Sequence, residues 1–118
     1  AKDVLNQKKK LKNILTELKT KNLSISALGA STKGNVILQY CDLDFSIINY
    51  VGEVNKDKFS CYTPGTSIPI ISENELLKKK PDYILILPWH FKDFFLSNSK
   101  FKNQKLVFPL PKIEIIKT

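Results

Sequence analysis

Ala27-Leu28-Gly29-Ala30-Ser31-Thr32-Lys33-Gly34-Asn35 is the stretch from which the fold is read. Just before it, Leu23 to Leu28 alternates small polar and apolar residues, as a short strand does. Just after it, Val36-Ile37-Leu38-Gln39-Tyr40 is an apolar run able to form a helix. Strand, glycine turn and helix together aim backbone amides and a positive helix end at an anion. Lys33 adds a mobile point charge at the same place. The turn is not a Walker-type phosphate loop. Gly29 and Gly34 have that spacing, but Asn35-Val36 stands where Lys-Ser/Thr would be needed. Nor is it G-x-G-x-x-G, because Ser31 occupies the place of the second glycine. A tight strand-to-helix turn of any α/β protein reads the same way.

Upstream of the turn, residues 4–20 read as an amphipathic helix. Leu11, Ile14, Leu15 and Leu18 fall at i, i+3, i+4 and i+7, with Val4 one heptad earlier and Lys on the other face. Asn22 is the expected stop. The helix carries no aromatic residue to anchor it on a membrane.

Downstream, Asp42-Leu43-Asp44 breaks the second helix with turn chemistry. Ile47 to Glu53 reads as a buried strand ending on an acid. In dinucleotide-binding folds an acid there holds ribose hydroxyls, and Glu53 follows Gly29 by 24 residues, near the usual interval. A solvated strand-end carboxylate is the plain alternative. Thr63-Pro64-Gly65-Thr66 has the residues of a type II turn. Ile68-Pro69-Ile70-Ile71 fits only an edge strand, since Pro69 has no N–H for a ladder. Ser72-Glu73-Asn74-Glu75 is a capping box that starts a helix from Glu73 to about Lys79, with Pro81 ending it.

Asp82 to Pro88 is apolar at successive positions, as a strand covered on both faces would be. Trp89-His90-Phe91 then leads into a helix through about Ser97. Lys105 to Phe108 is a further strand, Pro109-Leu110-Pro111 turns the chain, and Ile113 to Ile116 is a last short strand. This alternation predicts a three-layer α/β domain over residues 23–118, preceded by the helix of residues 1–22. Its strands at about 24–28, 47–52, 83–87 and 105–108 should be mutually parallel.

The chain's 118 residues suffice for one domain, burying roughly two-thirds of the unfolded surface. Its 42% hydrophobic and 25% charged content is that of an ordinary soluble globular protein. No apolar run approaches the ~20 residues of a membrane span, and no secretory h-region follows Ala1. The chain starts with Ala1 and lacks Met, so it is expected to be a trimmed protein or part of a longer one. A net charge of +8 invites a nucleic-acid reading, yet all nineteen basic residues are Lys, and no Arg is present to read guanine or grip phosphate bidentately. Residues 1–21 hold seven Lys against Asp3 and Glu17, a balance of +5, leaving +3 for the other 97. A solvated helix face explains that distribution, so neither nucleic acid nor membrane is an expected partner. Cys41 and Cys61 have no C-x-x-C spacing and no nearby His, as suits reduced thiols in a cytoplasmic protein.

Ligands of a parallel α/β sheet bind outside the carboxyl ends of its strands. Four features are expected to converge there: the Gly29–Asn35 loop, Glu53, the Tyr62–Thr66 turn and Trp89-His90. Trp89 as core and His90 as a helix-start residue are the bland alternatives. No Ser-His-Asp set, metal-ligand cluster or useful carboxylate pair is present, so no catalytic or metal-binding residue is assigned.

Gly29-Ala30-Ser31-x-Lys33-Gly34-Asn35, Tyr62-Thr63-Pro64-Gly65-Thr66-x-Ile68-Pro69-Ile70 and Pro81-Asp82-Tyr83-Ile84-Leu85-Ile86-Leu87-Pro88-Trp89-His90 occur in that order, followed by Val107-Phe108-Pro109-Leu110-Pro111. Together they resemble the C-terminal domain of S-adenosylmethionine-dependent sugar C-methyltransferases, over essentially the whole chain. The resemblance implies a Rossmann-like domain that follows a cysteine-rich zinc motif and a methyl-donor-binding domain in one polypeptide. It also implies that the whole protein methylates a ring carbon of a nucleotide-linked keto-deoxysugar. Lys33, Gly34, Asn35, Tyr62, Pro64, Gly65, Thr66 and Trp89 are the motif positions it assigns to the nucleotide-sugar cleft, to which the residue reading adds Glu53 and His90. His90 replaces the more usual Asn, and Ser60 stands where Gly is common, which leaves the sugar open. S-adenosylmethionine and zinc are expected in upstream domains and no cofactor in this one, so the isolated domain should be inactive. The alternative function is a non-catalytic module that binds a nucleotide sugar or docks onto a sugar-modifying enzyme.

Overall fold

The computed structural model describes residues 2–118, with side chains from Asn6 onward. The amphipathic start folds as helix α1 (Lys2–Thr20), which buries Leu11 and Leu15 in the core. Val4, expected on the same stripe, lies outside the described side chains. Asn22 ends the helix by taking up φ 63°. Its amide donates to the Lys19 carbonyl (2.9 Å) and that of Leu23 to the Leu18 carbonyl (3.1 Å), the paired closure of a Schellman motif.

The elements that follow are β1 (Ile25–Leu28), α2 (Thr32–Tyr40), β2 (Val51–Glu53), β3 (Ile70–Ser72), α3 (Glu73–Lys78), β4 (Tyr83–Ile86), α4 (Lys92–Ser97), β5 (Lys105–Phe108) and β6 (Glu114–Lys117). One six-stranded sheet has the order β3-β2-β1-β4-β5-β6. The first five strands are parallel to one another, and only β6 runs antiparallel, against β5. This is the mostly parallel sheet expected.

Strand side chains alternate between two cores, because successive residues of a strand point to opposite faces. Ile25, Ala27, Val51, Leu85, Leu87 and Val107 pack on one side with Leu11 and Leu15 of α1 and Leu38 of α2. Leu28, Ile84, Ile86, Leu106 and Phe108 pack on the other with Leu76 of α3, Phe95 of α4 and Phe101. Helices therefore cover both faces, giving the three-layer, Rossmann-like architecture.

Two details differ from the sequence expectation. β2 is shorter than residues 47–52, because the Asp44 side chain accepts from the Ser46 amide (2.9 Å) and its carbonyl from those of Ile47 and Ile48 (3.0 and 2.9 Å). That turn folds Ile47 and Ile48 into the core before the strand begins. α2 starts at Thr32, inside the glycine turn, rather than near Val36. α3 is capped by Ser72 Oγ accepting from the Glu75 amide (3.1 Å) and ends at Lys78. Pro69 falls just outside β3, at the sheet edge as expected, its carbonyl accepting from Val51 (3.0 Å). Cys41 is buried, Cys61 is exposed, and both are free thiols. Among the described residues no helix is long and apolar enough to cross a membrane.

Candidate functional site

β1 and β4 are neighbours at the centre of the sheet, and the chain leaves them in opposite directions, β1 toward β2 and β4 toward β5. Such a switch point opens a crevice at the carboxyl edge. On one side of it stands the Gly29–Asn35 stretch. Gly29 has φ 96°, a conformation that favours glycine, and a Cβ there would meet the Pro88 ring at 2.8 Å. Gly34 permits a second close approach: its Cβ would lie 2.5 Å from the Gly29 carbonyl oxygen and 3.1 Å from Leu87 Cδ1. The turn is thus pressed against Leu87-Pro88, the residues that lead into Trp89 and His90.

Ser31 caps α2, its Oγ accepting from the Gly34 amide (3.2 Å), while its carbonyl accepts from Asn35 (2.9 Å). Because the helix starts early, these two amides are used within it. The donors that helix geometry leaves at its end are those of Thr32 and Lys33. The Lys33 side chain is exposed. Asn35 Oδ1 is buried without a hydrogen-bond partner.

Across the crevice, Trp89-His90-Phe91 forms one 3-10 turn. The Trp89 and His90 rings meet edge to face with centroids 5.6 Å apart, and those of His90 and Phe91 are 4.3 Å apart. Trp89 is half-buried and His90 exposed. Phe91 and Phe94 are each 57% exposed, so the aromatic surface extends along α4.

Glu53 ends β2 at the same edge, but its carboxylate is directed inward. Oε1 accepts from the Ala30 amide (3.1 Å), and Oε2 from those of Val54 (2.8 Å) and Asn55 (3.1 Å). Lys58 Nζ stands 3.8 Å from Oε1 and donates to the Ala30 carbonyl at 2.7 Å.

The Tyr62–Thr66 turn lies elsewhere. From Glu53 the chain runs back along β3, with Ser60 donating to Ile70 (3.2 Å), Ile70 to Cys61 (2.9 Å) and Thr63 to Ile68 (2.9 Å). The turn, with Gly65 at φ 75°, therefore precedes β3 at the amino edge of the sheet. It packs on the far end of α2, where Gln39 Nε2 donates to the Pro64 carbonyl (2.7 Å), and near Phe45, whose amide donates to Thr66 (3.1 Å). Thr63 and Thr66 are buried and share a 2.5 Å hydrogen bond, whereas Tyr62 is 66% exposed. Tyr62, Pro64, Gly65 and Thr66 are thus not brought to Lys33 and Trp89, and the expected convergence of four features holds for three. Lys58 joins the carboxyl edge unexpectedly, its one signal in the sequence being its place five residues after Glu53.

Residues 1–111 match the family described as C-methyltransferase C-terminal domain. The chain belongs to that family. This C-methyltransferase C-terminal domain is 28% identical over 96 residues to C-methyltransferase NovU of Streptomyces niveus, covering 79% of this chain and 23% of that protein. The chain thus spans under a quarter of that relative's length. Among the described residues no three of His, Cys, Asp and Glu are grouped as a metal site would require. An apolar groove of about 290 Å³ between α1, α2 and Pro109–Pro111 contains none of the expected site residues.

Proposed function

We propose that this domain is the substrate-side part of an S-adenosylmethionine-dependent methyltransferase acting on a nucleotide-linked keto-deoxysugar. The observation that carries the reading is the close approach of Gly29 to Pro88, which sets Lys33, at the exposed start of α2, and Trp89-His90 at the same edge of the sheet. A diphosphate suits the first side of this crevice. A helix N-terminus contributes ~0.3–1 kcal/mol toward an exposed anion and up to ~2 when partly buried. A charge-assisted hydrogen bond from Lys33 would add ~1.5–3 kcal/mol. The half-buried Trp89 offers an apolar wall for the ring systems of such a ligand. S-adenosylmethionine, held by an upstream domain of the same polypeptide, would supply the methyl group, in the cytoplasm.

The test compares nucleotide-diphosphate-sugar binding by wild type, Lys33→Ala and Lys78→Ala in the complete polypeptide. Lys33→Ala should weaken affinity by about one to two powers of ten. Lys78, exposed at the end of α3, serves as the control for loss of one surface charge. Equal affinities for all three would reduce the β1–α2 stretch to a structural turn.

A further inference from the structure

We infer that Glu53 and Lys58 are positioning residues, which together grip Ala30 and so set how the β1–α2 turn presents Thr32 and Lys33 at the crevice. The inference rests on the anion-binding reading of that turn. Ala30 is 2% exposed and lies between the left-handed Gly29 and the helix cap Ser31. Its amide and carbonyl belong to neither the sheet ladder nor the helix, and buried backbone groups must find partners. Both partners are side chains of one segment. Glu53 takes the amide at 3.1 Å, and Lys58 takes the carbonyl at 2.7 Å.

The segment itself is fixed. Asn55 Oδ1 accepts from the Asp57 amide (3.1 Å) and caps the 3-10 turn Lys56–Lys58, which brings Lys58 back toward Glu53. A carboxylate offers about four acceptor positions. The amides of Ala30, Val54 and Asn55 take three of them, and the Lys58 ammonium stands 3.8 Å away as an ion-pair partner. The Glu53 side chain is only 12% exposed. Its influence on a ligand therefore passes through the turn it holds, and not through a ribose contact of its own.

The sign of one substitution separates this role from direct electrostatics. Glu53→Gln preserves shape and removes a negative charge. Were Glu53 or Lys58 acting directly on an anionic ligand, binding would tighten. As a positioning residue, Glu53 should on replacement by Gln weaken it by about tenfold, the loss expected for a hydrogen bond to a charged group. Uridine and thymidine diphosphate serve as probes, titrated into the complete polypeptide, with hydrogen exchange followed at Ala30 and Ser31.

Glu53→Gln and Lys58→Met should each weaken probe binding and speed exchange at Ala30 by about tenfold, leaving Ala27 and Leu85 protected. Lys58→Arg should restore most of both. Tighter binding by Glu53→Gln would overturn the inference, and so would unchanged exchange at Ala30 in both variants. Faster exchange with unaltered affinity would likewise overturn the role toward ligand. Failure of the anion reading would show differently: wild type itself would bind neither probe, which would remove the ligand-presenting role along with it.

Discussion

A Cβ on Gly34 would stand 2.5 Å from the carbonyl oxygen of Gly29, so the first turn of α2 is seated directly on the turn before it. Gly34→Ala sets two effects against each other. Alanine is favoured over glycine in a helix by ~1 kcal/mol. Overpacking costs ~1–3 kcal/mol, and here one of the atoms met is backbone that cannot swing aside. The clash should win, with a net loss of up to ~2 kcal/mol seen as a lower urea midpoint at unchanged slope. A midpoint at or above wild type would show that the contact relaxes freely.

Asn22 closes α1 in the left-handed region, at φ 63°. Asn22→Ala should lower stability by ~1 kcal/mol, because both residues carry a Cβ there but only the short polar asparagine side chain offsets its cost through local hydrogen bonding. Asn22→Gly should match or exceed wild type, because glycine adopts it freely. Thermal melts of the pair provide the check. Equal losses would mean that the asparagine side chain matters more than the backbone.

Stability should also fall in acid. The hydrogen bond from Lys92 (2.8 Å) holds the Glu114 carboxyl below its ordinary value of 4.5. Hydrogen bonds from Ser46 likewise hold Asp44 below 3.8. A carboxyl depressed in the folded state stabilises that state above its unfolded value, and the contribution disappears as pH falls through the folded one. Glu114→Gln should therefore lower the urea midpoint at neutral pH and converge with wild type below the Glu114 transition. A constant gap across the acid range would assign the loss to packing.

The domain by itself should neither bind S-adenosylmethionine appreciably nor methylate. It has no G-x-G loop, and Glu53, the acid at the end of β2, is already spent on three amides and Lys58. Calorimetry with the 118-residue chain is the measurement. Micromolar methyl-donor binding would contradict the expectation.

The parallel strands and the three layers were legible because their signals are local. Tyr83–Ile86 is apolar on both faces, the capping serine precedes α3, and Asn22 stands where a helix must stop. The position of Tyr62–Thr66 was legible in principle. A turn that precedes a parallel strand lies at the amino edge, and this one precedes Ile70. Its turn composition says nothing about which edge it occupies; only its order before β3 does. The early start of α2 was harder to see, since Gly34 argues against a helix until Gly29 and Leu87 are known to crowd it. Lys58 was invisible, because a lysine that caps a carbonyl 28 residues away has no pattern in sequence.

The sheet order has a mechanical consequence. The crevice is built on β1 and β4, which have paired neighbours on both sides, while β3 and β6 take the outer positions. Opening either outer strand breaks one ladder, whereas displacing Gly29 or Pro88 requires parting strands held on both sides. Fraying is thus confined to the periphery, and the ground beneath Lys33 and Trp89 should be the last part of the sheet to yield.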